Sequence, residues 1–540
     1  MNSRTQSLVF AAVAAGLTAV LASMVVSLAT PKSRGKSVGL LINDPRAWQG
    51  YTLLAPIFST DTFLIDMSGR VVKTWKSDHE PGQVAYLLDN GHLLRAGSLA
   101  QRNRAFRAGG GTGGRIQEFA WDGTIVWDFE YSSDEYLLHH DVLKLPGGNI
   151  LAIAWERKTA QQAVAAGRNP ALQRNSELWP DTVIEIAPTG KTTGEIVWKW
   201  KVWDHLIQDL DQSKPDYGDV ARHPERIDLN HSFGWTEQLT NKELEKLKSL
   251  GYLGSTSGAK QQRSNPEWTH INAISYNARF DQIALSVLGF NELWIIDHST
   301  TMQEASGHSG GRGGKGGDLL YRWGNPQAYR SGKAADQRLF AQHNVQWIPP
   351  GLPGEGHLLV FNNGRRRPDG EYSSVDEIVT PVSDQGQYSH DPGKPFAPDK
   401  PVWTYTAPGK TQFYSMHISG AQRLANGNTL VCSGANGTLF EVTPGSDVVW
   451  KYVNPVSRQQ RQDGGKPQQP GGGPPKPGTR GDSNGGRPGG KDESTNTVFR
   501  VYRYAPDFPG LAGKDLTPHA SLEESISRAG NSAPVAVAHP

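Results

Sequence analysis

The sequence predicts an all-β protein with the architecture of a six-bladed β-propeller, and two observations support that prediction. A hairpin that ends in tryptophan recurs six times along the 540 residues. The chain also has 61 glycines and 35 prolines, which are too many turn-forming residues for a helical protein. Its 16 Trp, 16 Tyr and 16 Phe residues favour strands.

The recurring hairpin has an apolar strand with an acidic residue, a turn with glycine, and a second strand that ends at Val-Trp or a close variant. Its six copies lie at residues 62–75, 115–127, 183–198, 292–323, 375–403 and 439–450. A second hairpin, with an Asn-Gly type of turn, lies between these copies at residues 89–94, 146–151, 354–360 and 425–430. Each repeat therefore holds about four short strands, the content of one propeller blade. The long gap between Trp198 and Trp323 leaves room for a seventh blade.

The remaining segments differ from the repeats in composition. Residues 8–29 carry no charge, so residues 1–36 form either a signal peptide cleaved after Ala29 or a membrane anchor. Both interpretations place the protein outside the cytoplasm, in the periplasm or secreted. Residues 50–455 are expected to form the propeller, with inserted loops and short helices, the clearest at 240–250. We expect a disordered Gly/Pro-rich insert at 456–496, a closing strand at 497–514 and a flexible tail at 515–540.

Charge and cysteine content exclude several classes of protein. The chain has 55 Lys and Arg residues against 53 Asp and Glu residues, a net charge of +2, which offers no electrostatic basis for binding nucleic acid. Cys432 is its single cysteine, which excludes an intrachain disulfide and a zinc cluster built on cysteine.

Histidines provide the main functional signal. Five of them stand near predicted blade junctions: His140, His205, His270, His343 and His417. Three of these, His140, His343 and His417, precede a turn and strand by a similar distance. Equivalent positions in the repeats of a propeller converge on its central axis. We therefore expect several blades to direct one imidazole each to a common site.

Two kinds of chemistry fit converging imidazoles. Neutral imidazoles bind Zn, Fe or Cu, whereas cationic groups stabilise a transferring sulfuryl or phosphoryl group that a neutral imidazole attacks. Three arginines at 365–367, just after the strand that follows His343, favour the second kind because their planar donors match tetrahedral oxyanions. A metal-binding enzyme with the same histidines as ligands, and a non-catalytic ligand-binding propeller, remain the alternatives.

These motifs resemble the bacterial arylsulfotransferases, which do not use 3'-phosphoadenylyl sulfate (PAPS). The resemblance rests on Glu-Trp-Thr-His-Ile-Asn at 267–272, Gly-Asp-Leu-Leu-Tyr-Arg-Trp-Gly-Asn-Pro at 317–326, Gln-His-Asn at 342–344 with Phe-Asn-Asn-Gly at 361–364, and residues 415–430, which begin Ser-Met-His-Ile-Ser-Gly. It implies a central active site, no PAPS cofactor, and transfer of a sulfuryl group from a phenolic sulfate ester to a phenol through a sulfo-histidine. A homodimer is implied by the resemblance alone.

The resemblance also implies roles for individual residues. Carried over by motif, His417 is the nucleophile, His270 and His343 bind and polarise the sulfate, and Arg367 binds it. Four further residues are expected to contact the substrate: His140, His205, Arg365 and Asn272. Arg365 stands where members of the family often have an acid, a departure that bears on the substrate and not on the fold.

Overall fold

Six antiparallel sheets repeat along the chain, five with four strands and one with five. The computed structural model describes residues 37–231, 266–457 and 496–531, together with Thr240, Asn241 and Glu243. The six sheets are the blades of the predicted propeller, and the described residues form no seventh blade.

The first three blades come from the N-terminal half of the chain. Strand β1 (Gly39–Asn43) precedes blade 1, which contains β2 (Tyr51–Pro56), β3 (Asp61–Ile65) and β4 (Val71–Lys76). Blade 2 contains β5 (Pro81–Leu87), β6 (Leu93–Ser98), β7 (Gly114–Phe119) and β8 (Ile125–Glu130). Blade 3 contains β9 (Tyr136–Lys144), β10 (Ile150–Glu156), β13 (Asp181–Gly190) and β14 (Thr193–Lys201). A separate two-stranded ribbon, β11 (Lys158–Thr159) and β12 (Glu177–Leu178), lies between β10 and β13 in the chain.

The other three blades follow a second, parallel ribbon of β15 (Leu206–Ile207) and β16 (Ile227–Asp228). Blade 4 contains β17 (Ile271–Asn277), β18 (Gln282–Val287), β19 (Glu292–Asp297) and β20 (Tyr321–Trp323). Blade 5 contains β21 (His343–Trp347), β22 (Leu358–Asn362), β23 (Ser374–Ile378) and β24 (Trp403–Tyr405). Blade 6 contains β25 (Gly420–Arg423), β26 (Thr429–Ser433), β27 (Thr438–Val442) and β28 (Val448–Val453). Strand β29 (Val498–Tyr504) comes last.

The two ends of the described chain close the ring of blades. Strand β29 pairs with β2 and becomes the inner strand of blade 1, while β1 pairs with β28 at the outer edge of blade 6. Each inner strand contacts the inner strands on both sides, in the order β29, β5, β9, β17, β21, β25 and back to β29. These six strands therefore surround the centre of the propeller.

The recurring tryptophans have a common structural role. Each indole Nε1–H donates a hydrogen bond to the turn between the two outer strands of the next blade. The acceptors are Ala120 O for Trp75, Thr193 O for Trp127, Thr300 Oγ1 for Trp198, Pro398 O for Trp323, Pro444 O for Trp403 and Met67 O for Trp450, at 2.7–3.2 Å. The last of these links blade 6 to blade 1. The sequence repeat is thus the signature of contacts between blades, because each aromatic ring is packed at a blade interface and its polar atom is satisfied across it.

Helices are few and short. The α-helices are α1 (Ala160–Ala165), α2 (Met302–Ala305) and α3 (Leu522–Asn531). The 3₁₀ turns are Val202–Asp204, Val220–Arg222, Leu288–Phe290, Pro326–Tyr329, Ala334–Asp336, Lys410–Gln412, Gly434–Asn436 and Pro509–Leu511. Among the described residues, no helix has the length and apolar character needed to cross a membrane. The N-terminal segment 1–36, most of the expected helix 240–250, nearly all of the expected insert 456–496 and the last nine residues of the tail lie outside the described residues.

Candidate active site

The inner strands depart from regular geometry where the predicted site lies. Backbone φ is positive at Gln83, His140, His270, Asn344 and Ser419, each in or just before a different inner strand. The ladder between β9 and β10 shifts register across His139, His140 and Asp141, and similar shifts interrupt β5, β17, β21 and β29. Bulges of this kind redirect side chains and cluster at functional sites.

Two histidines of blades 3 and 4 meet at the centre. The rings of His140 and His270, both fully buried, have centroids 4.7 Å apart. Nδ1 of His270 lies 2.7 Å from Oε2 of Glu267, and the other oxygen of Glu267 accepts a hydrogen bond from the amide of Gly110. The ring of His270 is therefore oriented by a carboxylate that is itself fixed.

His140 is oriented by its sequence neighbour. Nδ1 of His140 lies 2.7 Å from Nδ1 of His139, and Nε2 of His139 lies 2.7 Å from Oδ1 of Asp181. The contact with a carboxylate favours the tautomer of His139 that carries its hydrogen on Nε2, although the geometry is not that of a hydrogen bond, and in that tautomer Nδ1 of His139 accepts the Nδ1–H of His140. Nε2 of His140 then carries a lone pair. A Cβ on Gly111 would lie 2.3 Å from this atom, so glycine at that position keeps the space beside it open.

His343 of blade 5 has an equally defined tautomer. The side-chain amide of Asn363 donates to the carbonyl oxygens of Ser415 and Ile418 at 2.7 and 2.9 Å, so its oxygen faces Nδ1 of His343 at 2.8 Å. Nδ1 must therefore donate, and Nε2 carries the lone pair. That Nε2 atom is buried and has no hydrogen-bond partner.

Burial and neighbouring positive charges keep two of these rings neutral. Burial is the main cause that lowers the pKa of His140 well below its ordinary value, and the permanent charge of Arg500 and a proton on His270, His139 or His343 act in the same direction. Burial likewise outweighs the hydrogen bond to Asn363 and lowers the pKa of His343, and Arg500 and a proton on His270 or His417 add to this effect. Both rings are therefore available as lone-pair donors at neutral pH.

Arg500 brings a permanent charge to the same place from β29. Its guanidinium donates to Asp141 Oδ2 at 2.8 Å and to the carbonyl oxygen of Asn272 at 3.1 Å. Burial alone would lower the pKa of Arg500, but the carboxylate of Asp141 raises it overall. Nε of Arg500 is buried without a hydrogen-bond partner. Oδ1 of Asn272 is likewise buried and has none.

His417 lies on the segment that leads into β25. His417 is 3% exposed and lies close enough to His343 that a proton on one ring opposes a proton on the other. The carbonyl oxygen of His417 accepts hydrogen bonds from the hydroxyls of Ser415 and Ser419 at 3.2 and 3.3 Å. Asn363, which orients His343, also holds this segment through Ser415 and Ile418. The structure thus brings together His140, His270, His343, His417 and Asn272 of the predicted site.

The arginine turn is divided between the interior and the surface. Arg365 is 2% exposed, whereas Arg367 donates to the hydroxyl of Ser374 at 2.6 Å and stacks on the ring of Tyr372 at 4.6 Å. Arg367, which was expected to bind the sulfate, thus uses Nη2 and one face of its guanidinium in these contacts, while its Nε is buried without a hydrogen-bond partner. Glu243 lies close enough to this turn to feel the charges of Arg365 and Arg366. Burial acts to raise the pKa of Glu243, but hydrogen bonds from Thr240 and these two charges lower it overall.

A family model decides the relationship of the chain to known proteins. The model described as Arylsulfotransferase (ASST) matches residues 41–460. The chain belongs to the arylsulfotransferase family. Membership supports aryl sulfate sulfotransferase activity in general and suggests the type that is independent of PAPS.

Solved structures similar to this chain are distant in sequence. A protein of unknown function from Bacteroides caccae is 11% identical, covers 75% of this chain and 93% of its own, and has a TM-score of 0.37. The Swd1 β-propeller domain of Myceliophteria thermophila is 11% identical over 78% and 88% of the two chains, with a TM-score of 0.36. Virginiamycin B lyase from Staphylococcus aureus is 9% identical over 77% and 88%, with a TM-score of 0.32. No curated protein compared with the chain matches it significantly.

His205 was expected at the centre of the propeller, but the structure places it elsewhere. The side chain of His205 contacts Trp200, Ala305, His308 and Asp318, none of which belongs to the central group. His205 follows a 3₁₀ turn in the insert after blade 3 and not an inner strand, so it does not share the position of the other histidines.

Sequence reasoning also missed several residues of the central group. These are His139, Asp141, Glu267, Asn363 and Arg500. A signal for four of them was present, because His139 and Asp141 flank His140, Glu267 lies within the Glu-Trp-Thr-His motif, and Asn363 lies within the Phe-Asn-Asn-Gly motif. Arg500 carried no such signal, since its position at the centre depends on β29 closing the ring.

Proposed function

We propose that this arylsulfotransferase moves a sulfuryl group from an aryl sulfate ester to a phenol through a sulfo-histidine intermediate on His417. The observation that carries the proposal is the buried meeting of neutral imidazoles with the fixed cation Arg500. Sulfuryl transfer requires a neutral nucleophile beside fixed positive charge, and the family supplies the reaction class.

In the first half-reaction the imidazole of His417 attacks sulfur. The N–S bond forms while the S–O bond to the aryl group breaks, and the aryl oxygen leaves as a phenolate. In the second half-reaction the oxygen of the acceptor phenol attacks sulfur, the N–S bond breaks and His417 is restored. The intermediate separates donor from acceptor, so the kinetics are ping-pong.

Positive charge in this reaction stabilises the three sulfuryl oxygens. By analogy with phosphoryl transfer, a loose transition state depends on positioned donors more than on a strong base. Arg500 is suited to this role because Asp141 holds it in place before substrate arrives, and Arg365 of the arginine turn, also buried, is proposed as a second donor. Glu267 accepts a hydrogen bond from Nδ1 of His270 and so orients this ring, which we assign to binding of the sulfate.

The proton of the acceptor phenol has a suitable destination in His343. Its Nδ1–H is committed to Asn363, and its Nε2 is a buried lone pair. A neutral ring in this tautomer accepts a proton and does not donate one from Nε2. We therefore assign His343 to proton acceptance from the phenol, in place of the sulfate binding implied by the resemblance.

The central imidazoles also have a feature of metal sites, since His140, His270 and His343 are each held by a neighbour at Nδ1. Metal-ligating histidines are oriented in this way. Among the residues that the structure describes, however, the ligand atoms of no three central histidines lie within 4.8 Å of one another. We therefore retain sulfuryl transfer as the proposal, and metal analysis of the purified protein distinguishes it from the metal enzyme.

The nucleophile is tested with 4-nitrophenyl sulfate as donor and phenol as acceptor. The wild-type protein should release nitrophenol and form phenyl sulfate, and His417→Ala should abolish both. His519→Ala, which changes an exposed histidine, should leave both unchanged. Full activity of a folded His417→Ala protein would show that the nucleophile is another residue.

The assignment of the cations is tested by comparing two arginine variants. Arg500→Gln should lower kcat by about 10²–10³, the usual effect of removing an oxyanion donor, while Arg367→Gln should have a much smaller effect. The reverse order, with both proteins folded by circular dichroism, would restore Arg367 as the sulfate-binding residue.

A further inference from the structure

Two imidazoles and a carboxylate meet outside the central group. They lie between the insert after blade 3, described at residues 202–231, and a glycine-rich loop of blade 4 at residues 307–317. Nδ1 of His205 and Nδ1 of His308 each lie 2.9 Å from Oδ1 of Asp318. In the described part of the chain, this is the one group of three such side chains whose ligand atoms all lie within 4.8 Å of one another. His205 is fully buried, whereas the side chain of His308 is 46% exposed, so solvent reaches the group from one side.

The tautomer of His205 places a lone pair against a carboxylate. Nε2 of His205 lies 2.9 Å from the carbonyl oxygen of Ala305, and a carbonyl only accepts, so Nε2 carries a hydrogen. In the neutral ring Nδ1 then has a lone pair, which faces Oδ1 of Asp318. Two acceptors at 2.9 Å repel each other unless a cation bridges them. That cation is either a second proton on the ring or a metal ion.

The surroundings hold His205 in the orientation that a metal ligand needs. The ring of Trp200 stacks on His205 at 5.6 Å, and its indole donates to the carbonyl oxygen of Gly317 at 2.6 Å. A Cβ on Gly317 would lie 2.5 Å from Nε2 of His205, so only glycine allows the loop to approach so closely. A ligating histidine that donates its other N–H to a carbonyl is typical of metal sites.

The glycine-rich loop delivers the other two side chains. The amide of Gly316 donates to the carbonyl of Gly310, and the amide of Gly317 to that of Gly307, both at 3.0 Å. These bonds bring His308, near the start of the loop, and Asp318, at its end, to His205. Arg226 approaches the same carboxylate, with its Nε 3.7 Å from Oδ1, but its Nη2 is already bound to Leu206 O and Asp216.

We propose that His205, His308 and Asp318 bind one Zn²⁺ ion, with a fourth position open to water on the exposed side of His308. Nitrogen and carboxylate ligands suit tetrahedral zinc, and metal–ligand distances of about 2.0–2.1 Å separate neighbouring ligand atoms by about 3.3 Å. The two separations of 2.9 Å lie within a few tenths of an ångström of that value. The ion fastens the loop to the insert after blade 3, and the proposal is independent of sulfuryl transfer.

The test uses the full chain, stripped with a chelator and titrated with Zn²⁺ alone by calorimetry. We expect one equivalent to bind and to raise Tm, and Co²⁺ to give the visible absorption of a tetrahedral site. His308→Ala and Asp318→Asn should weaken binding by at least the 10–100-fold that loss of a supporting residue costs. His308 is half exposed, so its variant should fold.

A matched control distinguishes this site from surface histidines. His223 is exposed and lies 2.9 Å from Glu225, so it is another histidine–carboxylate pair, and His223→Ala should bind Zn²⁺ as the wild-type chain does. If the stripped protein binds no stoichiometric Zn²⁺, or binds it equally in the His308→Ala variant, the group is a proton-bridged ion pair and the proposal is wrong.

Discussion

At the scale of single residues, burial determines which form each central imidazole takes. His343 is fully buried, its Nδ1 faces an amide oxygen, and the cation Arg500 and a proton on His270 or His417 all oppose a proton on its ring. The neutral form is favoured on all these counts except the hydrogen bond. The structure therefore fixes both the charge and the tautomer of this ring, and with them the part it can play in proton transfer.

The buried histidines should make stability depend on pH. The pKa values of His140 and His343 are well below the ordinary value in the folded protein, and burial lowers that of His231 to about 3. Unfolded imidazoles titrate near pH 6.5, so below that pH the unfolded chain binds protons that the folded chain does not. Each such histidine then removes about 1.4 kcal/mol of unfolding free energy per pH unit. Above it, both states are neutral and the contribution is constant.

Urea unfolding measured from about pH 7.5 to 5 tests this expectation. His343→Gln should reduce the dependence of the unfolding free energy on pH by about one proton. His519→Gln, which changes an exposed side chain, should leave it unaltered. An unchanged dependence in His343→Gln would mean that His343 is protonated in the folded protein.

At the scale of elements, bulges in the inner strands direct several polar side chains of one blade toward the site. In blade 3, His139, His140 and Asp141 stand where the ladder loses register, so successive side chains point to Asp181, to the centre and to Arg500. Regular alternation would send neighbours to opposite faces of the sheet. The bulge thus allows three consecutive residues to contribute to one polar group.

Gly111 supports the bulge of blade 3, and its replacement should be costly. In Gly111→Ala the new Cβ would lie 2.3 Å from Nε2 of His140, at a φ of +75°. We expect a loss of stability of about 1–3 kcal/mol from the clash, on top of backbone strain, and lower turnover of 4-nitrophenyl sulfate because His140 is displaced. Thermal unfolding and steady-state rates measure the two effects.

Gly393→Ala is the matched control for this variant. Gly393 has a φ of +74°, and nothing lies within 4 Å of the position of its Cβ. This variant has the backbone strain without the clash. Equal losses in both variants would mean that the space beside His140 has no importance of its own.

At the scale of the whole molecule, the C-terminal strand completes both the ring and the site. Strand β29 supplies the inner edge of blade 1 and carries Arg500. It also carries Arg503, which is buried, pairs with Glu441 of blade 6 and stacks on Trp450 at 4.3 Å. Blades 1 and 6 are therefore held together through residues that lie far apart in sequence.

Removal of β29 should prevent folding. A chain that ends at residue 457 leaves the edge of β2 unpaired and Glu441 buried without its partner, which costs about 3–5 kcal/mol for the charge alone. We expect it to aggregate, as judged by size-exclusion chromatography. A chain that ends at residue 514 keeps β29 and lacks α3 and the segment 515–521 that bonds to Arg70 and Val71, and it should fold with one cooperative transition. A stable, folded chain ending at 457 would show that the ring does not depend on its closing strand.

The sequence alone determined the architecture and most of the central histidines. Six tryptophans predicted six blades because each one makes the same contact with the next blade, and a repeated contact leaves a repeated pattern. His140, His343 and His417 were singled out for a similar reason, since they precede a turn and strand by a similar distance, whereas His270 was singled out within its Glu-Trp-Thr-His motif. Their roles in catalysis stay predictions. Location outside the cytoplasm, the disordered insert and the homodimer stay predictions.

Only the tertiary structure decided the charges and partners within the site. Arg500 reaches Asp141 across 359 residues of sequence, and no local pattern encodes such a contact. No local pattern predicts the contacts of Arg367 with Ser374 and Tyr372 either. The same holds for the contact of His205 with Asp318 and its position beside His308. A repeated sequence pattern reflects the contacts that all six blades have in common. The contacts of the site differ from blade to blade, because they depend on bulges and loops that become neighbours only when the ring of blades closes.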